Sequence, residues 1–202
     1  MDNEARTSEA KASPRRRRGP RRVTASYLEN AALFYLERFA SSSANLRRVL
    51  MRKVARSAHA HGTDPAEGAR MVDDLIARYL RSGLLDDAGY AAQQAASLRR
   101  RGTSRFGIRG KLKVKGVDAD LIDTTLERLD EEQGGGEMDA ACALARRRRL
   151  GPYRPKEARA AHRQKDLATL ARAGFSLDVA RRVLAAADAE AAEALARGET
   201  EE

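Results

Sequence analysis

Apolar side chains recur at every third or fourth position through most of the chain, which is the spacing that places them on one side of an α-helix. The first two stripes comprise Leu28, Ala32, Tyr35 and Phe39, then Leu46, Leu50 and Val54. Ser41, Ser42 and Ser43 separate them and offer an N-cap for the second helix. The sequence therefore predicts a helical hairpin at the start of the folded region.

A third and a fourth helix follow, each with a recognisable start or stop. Asp64 to Glu67 resembles a helix start, with Asp64 as N-cap, Pro65 at the first helical position and Glu67 completing a capping box. Gly83 supplies the stop. The fourth helix is predicted from about Asp86 to Arg100 and ends at Gly102.

The second half of the chain repeats internally, a feature of tandem architectures. Seven positions reappear 58 residues later, with Leu112, Gly116, Val117, Asp118, Asp120, Ile122 and Leu126 matching Leu170, Gly174, Phe175, Ser176, Asp178, Ala180 and Leu184. In each copy a helix is predicted to stop at the glycine, which can take the left-handed conformation. The apolar residue after it can pack back on that helix, and Asp118 or Ser176 can cap the next one.

A weaker copy lies 62 residues upstream, where Leu46, Leu50 and Lys53 match Ile108, Leu112 and Lys115 but Val54 replaces the glycine. The prediction is an all-α fold of three tandem three-helix units, covering 27–85, 86–133 and 137–187. Gly134, Gly135 and Gly136 are predicted to form a flexible joint before the third. Such repeats stack on their neighbours, so we expect an elongated, slightly curved array.

Composition supports the helical prediction and adds two tails. Hydrophobic residues make up 42% of the 202 residues and aromatics only 4%, with no Trp. Residues 1–26 carry eight Lys/Arg against three acids and include the run Arg15 to Arg18, whereas 188–202 carry one against six. We expect a disordered basic arm and a disordered acidic tail. The net charge of +10 indicates an acidic or polyanionic partner, although solvated arginine-rich helices would give the same balance.

Residues that could carry catalysis, a metal or a cofactor are scarce. His59 and His61 point to different helix faces, and no Cys or Asp cluster completes a metal site. Cys142 lies in an alanine-rich stripe and is expected to be a buried, inert thiol. The glycines between Gly102 and Gly116 lack the spacing of a phosphate loop. We expect no enzyme activity and no cofactor, and a cytoplasmic chain because neither a signal peptide nor a membrane span is recognisable.

Cations concentrate in two clusters that we interpret as partner-binding. They are Arg99, Arg100, Arg101, Arg105, Arg109, Lys111, Lys113 and Lys115, followed by Arg146, Arg147, Arg148 and Arg149. In the first cluster Ile108 and Leu112 form a narrow apolar stripe that can pack while the charged heads stay exposed. The alternative for each cluster is a solvated helix face. The tyrosines lie in or beside apolar stripes and are interpreted as core residues.

Several spaced motifs resemble the RecX family. Leu84-Leu85-Asp86-Asp87 with Tyr90-Ala91, Arg100-Arg101-Gly102, Ile108-Arg109, Leu112, Lys115-Gly116-Val117 and Ile122 resemble its central module. Leu150-Gly151-Pro152-Tyr153-Arg154 and the segment from Gly174-Phe175-Ser176 to Leu184 resemble its third module. The resemblance covers about 27–187 and departs in the first module, at Lys53-Val54.

The resemblance implies a monomeric regulator that lodges in the groove of the RecA–DNA filament and modulates RecA, mostly by inhibiting it. Recombination, DNA repair and the SOS response would be regulated as a consequence. DNA would be contacted within the filament, or weakly alone. Two alternatives remain: an autonomous helix-turn-helix DNA-binding protein and a structural adaptor for an acidic protein. Three unequal units without coiled-coil heptads fit a symmetric DNA-binding dimer poorly.

Overall fold

The computed structural model describes residues 19–132 and 136–198. Within these ranges the chain is all-α, with ten α-helices and one short 3-10 helix, η1. The helices are α1 (Ala25–Leu36), α2 (Ser43–His61), α3 (Pro65–Arg81), α4 (Asp87–Arg100), α5 (Arg105–Val114), α6 (Ala119–Glu132), α7 (Gly136–Arg148), η1 (Gly151–Tyr153), α8 (Lys156–Arg172), α9 (Leu177–Ala185) and α10 (Ala189–Ala196). The predicted all-α fold is confirmed.

The apolar core of the described chain is divided into three clusters. Helices α1 to α3 bury the first, around Leu46 and Val72, and α4 to α6 bury the second, around Ile108 and Leu126. Helices α7 to α10 bury the third, around Leu170. We call the three groups of helices the first, second and third units.

The predicted helix stops at Gly116 and Gly174 are confirmed. Their φ angles are +77° and +89°, in the left-handed region that favours glycine. The next residue then turns back on the helix: Val117 N–H donates to Leu112 O at 3.2 Å and Phe175 N–H to Leu170 O at 3.3 Å. Val117 and Phe175 are both buried, so each turn also closes the core beneath it.

Neighbouring units are joined by the same serine contact at both places. Ser42 and Ser104, which we call the joint serines, are the N-caps of α2 and α5. Ser42 Oγ donates to Lys115 O at 2.6 Å, and Ser104 Oγ donates to Ala173 O at 2.6 Å. Each bond links the start of a second helix to the end of the second helix in the next unit.

A carboxylate and a close glycine complete each joint. The Ser43 N–H donates to Asp87 Oδ1 at 2.7 Å, and the Arg105 N–H donates to Glu137 Oε2 at 2.9 Å. A Cβ at Gly116 would lie 2.6 Å from Ala44 Cβ, and one at Gly174 would lie 2.7 Å from Ser104 Oγ. The two glycines therefore serve the approach of the units as well as the turn.

The third unit is held from inside by a buried carboxylate. Asp166 is 1% exposed and accepts hydrogen bonds from the Gly151 N–H at 2.9 Å and from Arg154 Nε and Nη2 at 2.8 Å each. Burial opposes ionisation, but the hydrogen bonds from Arg154 and Gly151 outweigh it and lower the pKa of Asp166. An ionised Asp166 thus ties η1 to α8.

The acidic tail predicted at 188–202 is wrong for its first part. Asp188 caps α10 by accepting from the Ala191 N–H at 2.9 Å, and Ala192 is fully buried in the third core. The segment Ala189–Ala196 consists of alanine, glutamate and leucine, which are strong helix formers. The excess of acidic residues does not indicate disorder here, because the acidic side chains can stay in water while the alanines pack.

The basic arm predicted at 1–26 also needs correction at its end. The Val23 N–H donates to Ser57 Oγ at 2.9 Å, and His61 Nε2 lies 2.7 Å from Pro20 O, so this stretch packs on α2. The run Arg15 to Arg18 lies outside the described residues. So do Gly134 and Gly135 of the predicted joint, whereas Gly136 begins α7.

The first unit departs from the others at α2. The helix continues past Val54 for two further turns and ends at Gly62, whose φ is +64°. Val54 stays buried because it packs on Gly68, where a Cβ would lie 2.5 Å from Val54 Cγ1. Helix α1 ends before Phe39, which is 55% exposed, so its predicted place in the buried stripe is wrong.

Replacement of a joint serine tests how much the joint contributes to the stability of the protein. In Ser104→Ala the Gly107 N–H loses its cap and the Ala173 carbonyl loses its donor. We expect a loss of about 2 kcal/mol in the free energy of unfolding. The matched control is Ser176→Ala, which removes a cap on Val179 without a joint and should cost about 1 kcal/mol. Urea unfolding measures both, and equal losses would show that the joint bond adds nothing.

Candidate partner-binding surface

The two predicted cation clusters lie next to each other in the structure. The first follows the end of α4 and the length of α5, and the second ends α7. Arg147 Nη1 donates to Arg101 O at 2.7 Å. The backbones are close as well, because a Cβ at Gly102 would lie 2.6 Å from Leu144 N. Two clusters that are far apart in sequence thus form one basic region across the second and third units.

Arg99 does not belong to this surface, although the sequence analysis placed it with the partner-binding cations. Its side chain is 1% exposed, and Nη2 donates to Asp130 Oδ1 at 2.7 Å. Helix α4 turns this position toward the core beside Ala91 and Ala95. A guanidinium in such a place is a structural charge, since burying it is tolerable only with a paired carboxylate.

Two further predicted cations are paired within the second unit. Arg105 contacts Asp130, so this carboxylate serves two arginines, and Arg109 contacts Asp123. Glu137 adjoins the same group; burial raises its pKa, while the Arg105 N–H and the charge of Arg99 oppose that shift. Arg105 and Arg109 are therefore each engaged in an ion pair within the second unit.

The other predicted residues divide into partnered and unpartnered side chains. Arg101 Nη2 donates to Ser97 Oγ at 2.9 Å, and Arg146 Nη1 lies 3.3 Å from Glu193 Oε1. Among the predicted residues, those whose side chains have no hydrogen-bond or ion-pair partner within the described ranges are Arg100, Lys111, Lys113, Lys115, Arg148 and Arg149. All six are exposed. These six cations are available for an external anion.

The outer face of α5 carries apolar residues that were not predicted from the sequence. Ile108 and Leu112 are buried as predicted, but Phe106 is 75% exposed and Val114 is 68% exposed. Gly110 lies between them, and a Cβ there would meet no atom within 4 Å. These three positions recur every four residues, so they share one side of the helix. That spacing was visible in the sequence beside the buried stripe.

Arg48 of the first unit reaches the same helix. Its Nη1 and Nη2 atoms both donate to Val114 O at 3.0 Å. This contact satisfies a carbonyl that the end of α5 would leave without a partner. The first unit therefore fixes one end of the exposed face, and the joint at Ser104 fixes the other.

Arg149 holds an unusual backbone conformation at the edge of the surface. Its φ is +54°, and it is the sole residue other than glycine with a positive φ in the part of the chain that the structure describes. It ends α7 as a glycine would: the Leu150 N–H donates to Ala145 O at 2.9 Å across the turn. Such a conformation costs about 1 kcal/mol or more, and strained residues cluster at functional sites.

Cys142, His59 and His61 are the residues that were considered for catalysis or for a metal. Cys142 is 3% exposed, its thiol donates to Ala192 O at 3.2 Å, and burial raises its pKa to about 11. His59 and His61 lie in the last turn of α2. Among the residues described, no group of three or more His, Cys, Asp or Glu side chains is placed to hold a metal ion.

None of the helices in the described ranges combines the length and the apolar character that a bilayer-crossing helix needs.

Comparison with known proteins gives one consistent result. The family described as "RecX, second three-helix domain" matches residues 86–126. "Regulatory protein RecX" of Myxococcus xanthus is 43% identical over 183 residues, which is 90% of this chain and 97% of that protein. The proteins of the same name from Agrobacterium fabrum and Leptothrix cholodnii are 29% identical over 170 residues and 39% over 166, covering 88% and 90% of their lengths. No solved structure matches the chain significantly.

The buried ion pair at Asp130 should contribute more to stability than the exposed ion pair at Asp123. Asp130→Asn leaves Arg99 buried without its carboxylate, and we expect a loss of about 3 kcal/mol in unfolding free energy. Asp123→Asn removes an exposed pair with Arg109 and should cost less than about 1 kcal/mol. Thermal and urea unfolding of the two variants measure the difference. Similar small losses would show that Arg99 is not held by Asp130.

Arg149→Gly should stabilise the protein while it removes a cation. Glycine takes the left-handed turn without strain, so we expect a gain of about 1 kcal/mol in unfolding free energy. Arg148→Gly is the control because the same change falls at the last helical residue of α7, where glycine relieves no strain and costs up to about 1 kcal/mol. A destabilised Arg149→Gly variant in urea unfolding would mean that the turn carries no strain.

Proposed function

The chain belongs to the RecX family of regulatory proteins, and from this premise we propose that it regulates RecA by binding in the groove of the RecA–DNA filament. Binding there would repress filament growth, ATP hydrolysis and strand exchange. Recombination, DNA repair and the SOS response would be restrained in turn. The action is that of a monomeric, non-enzymatic binding protein in the cytoplasm.

The observation that carries this proposal is the set of unpaired lysines on α5 and its C-cap. Lys111, Lys113 and Lys115 are exposed and have no anionic partner in the described chain. Cations crowded in this way repel one another, and an acidic or phosphate-bearing surface relieves that repulsion. A filament that carries DNA phosphates along its groove offers such a surface.

The apolar residues beside the lysines support a protein partner. Phe106 is exposed over 75% of its surface, and large exposed aromatics at a basic rim are typical anchors in protein interfaces. Phosphates alone give such a ring nothing to pack against. We therefore infer that α5 contacts the protein wall of the groove with Phe106 and Val114, and anions with its lysines.

The joints give the surface a defined shape, which supports groove binding. Arg48 fixes the end of α5 at Val114, and Ser104 fixes its start through Ala173. A surface held at both ends loses little conformational freedom on binding. It can therefore bind along a repeating partner without refolding.

The proposal is tested by removing the three lysine charges together. Lys111→Gln, Lys113→Gln and Lys115→Gln keep good helix formers and avoid the arginines that are paired internally. We expect about tenfold weaker inhibition of RecA ATPase on preformed filaments. The control is the same change at Lys156, Arg163 and Arg172 of α8, which are also exposed and unpartnered in the described chain.

A second experiment distinguishes the contribution of apolar contacts to RecA inhibition from that of ionic contacts. Phe106→Ala should weaken inhibition even at high salt, where ionic contacts are screened, whereas Leu177→Ala should leave it unchanged. Circular dichroism confirms that each variant is folded. A folded triple variant that inhibits at the wild-type concentration would contradict the proposal. A wild-type protein that ignores RecA but binds naked DNA would favour the autonomous DNA-binding alternative.

A further inference from the structure

A second basic surface lies on the first unit, away from the predicted clusters. Tyr27 and Phe34 are two turns apart on α1 and so share one side of that helix. Two adjoining cavities of about 430 Å³ and 460 Å³ both contact Arg21, Tyr27 and Lys53. Together they form one groove, which we call the Tyr27 groove, with main side chains Arg21, Arg22, Tyr27, Phe34, Lys53 and Arg56.

The groove has positive charge without compensation. No acidic residue lines either cavity, and Arg21, Arg22, Lys53 and Arg56 have no ion pair within the described chain. Two arginines elsewhere in the same unit are paired, Arg47 Nε with Asp73 Oδ1 at 2.6 Å and Arg78 Nη2 with Glu29 Oε1 at 2.5 Å. Such a concentration of charge attracts a polyanion.

Aromatic rings are the second feature of the groove. Tyr79 and Tyr90 are buried as the sequence predicted, but Tyr27 is only half-buried, and Phe34 is 57% exposed. Lys53 Nζ lies 5.6 Å from the centroid of the Tyr27 ring, and Arg38 Cζ lies 3.7 Å from that of Phe34. The rings therefore stand among cations and are not enclosed by the core.

We propose that the Tyr27 groove binds single-stranded nucleic acid. Rings among unpaired cations match what a single strand presents, namely unstacked bases along a phosphate backbone. Tyr27 stacks with a base, and Arg21, Lys53 and Arg56 contact the phosphates. A duplex keeps its bases stacked inside and offers the ring nothing, so the groove distinguishes single strands from duplexes. The inference rests on the first unit alone and does not depend on the contact proposed for α5.

The test uses the full chain without RecA and a fluorescent thymidine oligonucleotide of about ten nucleotides. Tyr27→Leu keeps an apolar side chain but removes the ring, and we expect binding between about fivefold and a hundredfold weaker by fluorescence anisotropy. Tyr27→Phe is the matched control and should bind like the wild type. Lys53→Gln with Arg56→Gln should weaken binding and flatten its salt dependence. Arg163→Gln, at an exposed position of α8, should change neither the affinity nor its salt dependence.

These measurements distinguish base stacking from charge attraction as the source of binding. Wild-type affinity in Tyr27→Leu overturns the proposal, because stacking is then not used. Equal affinity for a duplex of the same length also overturns it, since the groove then recognises charge alone. The triple lysine variant of α5 should retain this binding, and Tyr27→Leu should retain contact with RecA filaments formed in advance. The two proposals can therefore fail separately.

Discussion

One serine hydroxyl at each joint determines how the units are arranged. A helix leaves N–H groups unsatisfied at its start and carbonyl groups at its end, and a hydroxyl can accept and donate at once. Ser104 Oγ accepts from the Gly107 N–H and donates to Ala173 O, and Ser42 Oγ does the same with Asn45 and Lys115. The end of one helix thus becomes the partner for the start of another. Units with small cores depend on such contacts, because they bury little alone.

The third unit does not offer the serine contact that is used at the two joints. At the start of α8, Pro155 occupies the N-cap and provides no side-chain hydrogen bond. The first unit differs in another way, because the chain around Pro20 and Val23 packs on the last turns of α2 through His61 and Ser57. The three units therefore share a joint but differ in what surrounds the second helix.

Local features of the fold could be predicted, and features that depend on distant partners could not. Gly116, Gly174 and Ser176 act within a few residues of themselves, so their roles as stops and cap were predictable. The burial of Arg99 depends on Asp130, which lies 31 residues away, and no periodic pattern reveals that pairing. The candidate surface was predictable as a set of cations. Which of them remain unpaired was not, because Asp123, Asp130 and Glu193 come from other helices.

Arginine and lysine differ in whether they form ion pairs in this structure, and this difference affects how the surface can act. Every ion pair in the described ranges uses arginine, whose planar fork fits a carboxylate, as in Arg154 with Asp166. Lysines such as Lys113 and Lys53 stay unpaired there, and a lysine ammonium is a flexible, strongly hydrated charge without fixed geometry. The paired arginines therefore hold the fold, and the lysines, together with the unpaired arginines, provide adjustable attraction. A partner recognised in this way is selected by its density of negative charge, while the exposed rings of Phe106 and Phe34 supply the part of recognition that salt does not remove.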